Sequence, residues 1–156
     1  MLDIPSITGI VAAVGVIVGV VFTVLELRNI TRTRQTDLVV RLYSTFGTED
    51  FQEAYEKITT MEVKDFNDAL IKGYLPKLRT VYVFFEGIGV LLHKKLADIG
   101  LVDDLFRESI KLIYEKAKPI IYDARKQLNL PSYGRWFEYL YNELQKREQR
   151  PQQTQQ

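Results

Sequence analysis

The chain contains no cysteine and a single histidine, His93. Without cysteine there is no disulfide, no thiol nucleophile and no thiolate zinc site, and one histidine cannot make a His pair or an HExxH motif. The lack of cysteine agrees with a reducing compartment. A dominant charge is missing as well: 21 basic residues face 20 acidic ones, for a formal net charge of +1. Phosphate backbones are held by a concentrated basic face, so this balance argues against a nucleic-acid surface. No Walker A loop is present. Gly87 and Gly89 begin a GxG, but Leu92 stands where a dinucleotide fingerprint needs its third glycine, and no strand precedes it. Ser44, Ser109 and Ser132 occur without a nucleophile elbow. These absences remove the commonest catalytic, metal and cofactor chemistries, so no catalytic residue, metal ligand or cofactor is expected and the chain reads as non-enzymatic.

What is present is an uncharged apolar run from Ile4 to Leu25, about 22 residues, of which thirteen are Ile, Val, Leu or Phe. At roughly 1.5 Å rise per residue it reaches about 33 Å as a helix, the thickness of a bilayer's hydrocarbon core. No basic region precedes it and no small-x-small site follows, so it reads as an uncleaved anchor over residues 1–27. Arg28, Arg32, Arg34 and Arg41 all follow the run, which places the N-terminus outside and the larger C-terminal part in the cytoplasm by the positive-inside rule. Arg28, Arg32 and Arg34 are also placed to meet anionic headgroups. Gly15 and Gly19 form a GxxxG step, which lowers one helix face enough for a second transmembrane helix to approach.

Beyond the anchor, apolar residues recur at intervals of three and four, so the remaining chain reads as all-α, a cytoplasmic bundle of about five helices over residues 28–148. The anchor helix is expected to continue to Gly47, with Thr48 capping a helix from Glu49 to Met61. Asp65 caps a short helix to Ile71. Pro76 opens one that runs to about Ala97 and closes at Gly100, followed by a segment from Val102 to Leu128, with Leu105 and Leu128 on its apolar stripe, that Pro119 is expected to kink near Ala117. The last helix follows Pro131, with Ser132 as its cap. Residues 149–156 are polar and read as a disordered tail.

Glu86 stands out because it interrupts the apolar, glycine-rich stretch VYVFFEGIGVLL. A carboxylate there needs partners. Arg125 and Glu138 are the expected ones, in a structural polar cluster that fixes helix register. Gly87 and Gly89 are expected to permit close helix packing, with Trp136 as a candidate neighbour. Asp103, Asp104 and Glu108 lack the ligand spacing of an EF-hand and read as first-turn charges. The aromatics around Tyr133 and Trp136 exceed what one buried stripe needs.

Phe84-Phe85-Glu86-Gly87-Ile88-Gly89, then Gly100-Leu101-Val102-Asp103, then Lys118-Pro119 with Arg125, and Phe137 to Leu140 at the end form an order that resembles a known family. That family is the uncharacterised membrane-anchored helical proteins catalogued as domain of unknown function four-seven-six-zero. The resemblance implies an N-terminal span followed by a helical domain and supplies no activity. Two functions follow from the whole reading: a membrane-tethered interaction or scaffold module that self-associates or holds a partner, or an accessory subunit of a larger membrane complex such as a transporter.

Overall fold

The computed structural model describes the backbone of residues 4–149 and the side chains of residues 15–149. Six helices make up the structure and there is no strand among the described residues. The chain divides into two compact units, residues 1–37 and residues 38–156. The expected tail over residues 149–156 lies, apart from Gln149, outside the described residues.

Helix α1 (Ile4–Phe46) begins in the first unit. From residue 15 to residue 37 every side chain except that of Gln35 is exposed, including Val16, Ile17, Val20 and Phe22. Thr23 and Thr31 return their hydroxyls to the carbonyls of Gly19 and Leu27, which keeps these polar groups satisfied within the helix. Among the described residues no helix is long and apolar enough to cross a membrane. The first part of the expected anchor, residues 4–14, lies outside the described side chains.

In the second unit, the end of α1 brings Val39, Leu42 and Phe46 to a bundle with α2 (Glu49–Thr59), α3 (Phe66–Ile71), α4 (Leu75–His93), α5 (Ile99–Gln127) and α6 (Arg135–Gln149). Helix α4 is central and packs most extensively on α6 and α2. Its buried residues Leu78, Val81, Phe85, Ile88 and Leu92 repeat at three and four, the single apolar stripe that a helix of 3.6 residues per turn needs. The longer stripe of α5 runs from Val102 and Phe106 through Ile113 and Ala117 to Ala124. Leu105 and Leu128, expected on that stripe, are exposed at 39% and 46%. Between these helices lies an aromatic core in which Phe46, Phe51, Phe84 and Phe106 pack at centroid distances of 4.7–6.1 Å. Helix α5 continues through Pro119, which lies on the exposed side with Glu115, whose carbonyl loses its partner, so the missing bond faces water.

Several helix ends differ from the sequence expectation. Helix α4 stops at His93, short of Ala97, because Lys95 turns left-handed at φ 58° and Leu96 donates back to the Leu91 carbonyl. Gly100 therefore lies inside α5, whose cap is Asp98, bonded to the Leu101 N–H at 3.0 Å. Thr48 holds the cap position of α2 but turns its hydroxyl to the Thr45 carbonyl. The start of α6 is not capped by Ser132. It is capped from outside its own sequence.

Candidate functional site

The N-terminus of α6 is assembled by its neighbours. Gly134 precedes the helix at φ 70°, and its N–H donates to the Tyr82 hydroxyl of α4 at 2.9 Å. One turn along α4, Glu86 accepts the N–H of Phe137 at 2.6 Å. Free N–H groups and the positive end of the helix dipole both favour a carboxylate at this place. From α5, Arg125 donates to the Tyr133 carbonyl at 2.7 Å and pairs with Glu138 at 2.7 Å. Arg125 and Glu138 thus meet directly. Glu86 contributes to the same junction through the backbone of α6, not through their side chains.

Glu138 also accepts from the Tyr122 hydroxyl. Burial pushes its carboxyl up, but the Tyr122 and Arg125 hydrogen bonds outweigh that and hold it below the ordinary carboxylate range. Gly89 completes the junction. A Cβ there would stand 2.0 Å from the Trp136 carbonyl oxygen, so only glycine lets α4 and α6 approach this closely. Gly87 has no neighbour within 4 Å of such an atom and plays no part in the crossing.

Elsewhere Asp103 departs from the role expected of it. It is 6% exposed and joins Arg107 on α5 to Arg147 on α6, with its second oxygen buried and without a protein partner. A first-turn charge in water would show neither feature. Among the described residues no group of carboxylates and histidine is arranged to hold a metal ion. His93 is exposed, and its ring lies 4.4 Å from that of Trp136, tilted by 41°, at the end of α4.

Beside the α4–α6 junction opens a groove of about 820 Å³. Phe66 and Leu70 of α3 form one wall. Leu75, Pro76, Leu78 and Val83 of α4 form the floor and the facing wall, and Leu128 closes the end of α5. The polar lining is small and of one kind: Arg79, Tyr82 and Tyr133. The two phenol rings stack at 5.0 Å and 10°. Burial, then the negative charge of Glu86, pushes the Tyr82 hydroxyl up to about 12 and raises Tyr133 in the same direction, so both remain hydrogen-bond donors at neutral pH. Arg79 is exposed and makes no ion pair or hydrogen bond with the described residues. Around the groove Leu70 and Val83 are each 55% exposed and Ile71 is 84% exposed. The Asp123 carboxylate of α5 holds the first N–H of α3 at 3.0 Å, which fixes the Phe66 wall.

The family described as Domain of unknown function (DUF4760) matches residues 10–144. The chain belongs to this family. In this DUF4760 protein the match takes in the whole groove and every residue of the α6 junction. No curated protein and no solved structure matches the chain.

The groove was not foreseen from sequence. The sequence carries a signal for it: Leu75 and Val83 flank Arg79 at intervals of four and make a second, partly apolar stripe on a face of α4 that a helix with one buried face would leave polar.

Proposed function

We propose that this protein is a membrane-tethered, non-enzymatic binding module in which the N-terminal helix holds the helical bundle at a bilayer and the α3–α4 groove receives a ligand. The groove carries this reading. Its volume falls within the roughly 300–1,000 Å³ of ligand sites, its walls are apolar, and a few convergent polar groups line it. No buried reactive pair accompanies them, so the chemistry available is recognition. The tether is supported by the uncharged run Ile4–Leu25 and by the exposed apolar side chains of residues 16–25, since a helix apolar on all sides is suited to lipid or to other helices. In this reading the bundle lies in the cytoplasm, with Arg28, Arg32 and Arg34 at the inner membrane surface. Anchoring raises the local concentration of bundle and ligand, so modest affinity suffices.

Self-association through Gly15 and Gly19 fits the same tether, because a side chain added at either glycine would meet nothing within 4 Å. Replacing both with Ile is expected to abolish association in a membrane two-hybrid assay; unchanged association would remove that part. An accessory subunit of a multi-span complex would use the same face and is distinguished by stoichiometric co-purification with that complex in mild detergent.

The binding reading is tested by placing a photoreactive benzoylphenylalanine at Val83 in the full chain, expressed in membranes, with Leu112 on the exposed side of α5 as the control. Adducts enriched at Val83 are expected. Equal labelling at both positions would count against a site in the groove.

A further inference from the structure

We propose, resting on the reading of the groove as the ligand site, that its occupant is a single-chain anionic amphiphile: a long-chain carboxylate whose chain lies on Leu70, Leu78 and Val83 and whose head is held by Arg79.

Three observations converge on this chemistry. First, the walls offer a continuous apolar surface with no acidic side chain among the lining residues, so a cationic ligand finds no counter-charge there. Second, every polar side chain of the lining has a proton to donate. The Tyr82 oxygen already accepts from Gly134, which leaves its proton available, and the Tyr133 hydroxyl has no partner among the described residues. Third, the one charge in the groove, Arg79, is unpaired, while nearby cations are already engaged: Lys77 with Glu53 at 2.7 Å and Lys72 with Asp68 at 3.0 Å. A guanidinium left without a carboxylate in this setting matches a carboxylate brought by the ligand, and its planar fork suits bidentate pairing.

Head and chain positions follow from the helix. Arg79 and Val83 are one turn apart on α4, so an anionic head at Arg79 puts the start of a chain over Val83 and the exposed Leu70 across the groove. The single charge and single groove suit one chain and one head better than a two-chain phospholipid. Tethering at a bilayer supplies such amphiphiles at high local concentration.

The test uses the full chain in nanodiscs of zwitterionic lipid and a palmitic acid carrying a diazirine near the chain end, with labelled peptides mapped by mass spectrometry. Labelling is expected within residues 66–83 and 128–133, competed by unlabelled palmitate and not by hexadecanol, which has the chain without the charge. Arg79→Gln is expected to lower groove labelling about tenfold, and Val83→Glu, which sets a competing carboxylate one turn from Arg79 at an exposed position, to abolish it. Circular-dichroism melts of both variants check that folding is kept.

Labelling confined to α1, equal competition by hexadecanol, or full labelling of Arg79→Gln would overturn the proposal. So would a diazirine-bearing phospholipid labelling the groove where palmitate does not. If palmitate fails while the Val83 photoreactive chain still captures a protein or a phospholipid, the ligand class is wrong and the binding site stands. If neither labels the groove, the site itself fails.

Discussion

At the scale of single residues, the two neighbouring glycines of α4 give the sharpest contrast. Gly89→Ala would drive a methyl group into the Trp136 carbonyl, and backbone cannot swing aside as a long side chain can. We expect a loss of at least about 1–3 kcal/mol in denaturant unfolding of the full chain. Gly87→Ala meets open space inside a helix and is expected to be neutral or to stabilise by up to about 1 kcal/mol. Equal effects would mean that α4 and α6 do not cross as described. Sequence alone gives both glycines the same role, since each stands in the same apolar stretch; only the position of Trp136 separates them. Glu86 was similarly half legible. Its need for a partner follows from its apolar setting, but the partner is the Phe137 N–H, and backbone groups leave no trace in composition. Glu86→Ala should therefore cost about 1–2 kcal/mol and Glu86→Gln less, because the amide oxygen still accepts the bond. A larger loss for Gln than for Ala in thermal melts would contradict the capping role.

At the scale of elements, helix ends were legible where the signal is local and hidden where it is tertiary. Asp65 and Asp98 sit beside the helices they cap, each bonded to the N–H three residues on. Asp65 can be placed from sequence, whereas Asp98 is masked by Gly100 two residues on, which reads as the stop of α4. The left-handed Lys95 does that instead, a position that residue types other than glycine take less readily. The start of α6 depends on Tyr82, Glu86 and Arg125, all at least eight residues away in the chain, and no capping pattern could reveal them.

The Arg125–Glu138 pair that clamps this end has a pH signature. Glu138 titrates lower in the folded protein than its ordinary value of 4.5, so its contribution is complete above that value and is lost as pH falls through the lowered one. The difference in stability between wild type and Glu138→Gln is expected to be about 1–2 kcal/mol at pH 7 and to shrink below pH 4.5. A difference that stays constant down to pH 2, followed by chemical denaturation at each pH, would show that the pair's ionisation does not stabilise α6.

At the scale of the whole molecule, an all-helical chain was readable because periodicity of three and four survives any arrangement of the helices, and six helices are present among the described residues. The groove was not readable because it lies between α3, α4 and the end of α5, where two half-apolar faces meet without closing. That α3 has only six residues is part of the reason: it is too short to cover the second stripe of α4, which leaves Val83 and Leu70 facing water. A small domain ordinarily hides such a surface, and its persistence beside an unpaired arginine favours an external occupant.

Both the proposed tether and the supply of an amphiphile to the groove depend on the N-terminal helix residing in lipid. The most direct measurement is alkaline carbonate extraction of membranes carrying the full chain, alongside a chain lacking residues 4–25. We predict that the full chain stays with the membrane pellet and that the shortened chain moves to the supernatant. Release of the full chain by carbonate would contradict a membrane-spanning tether.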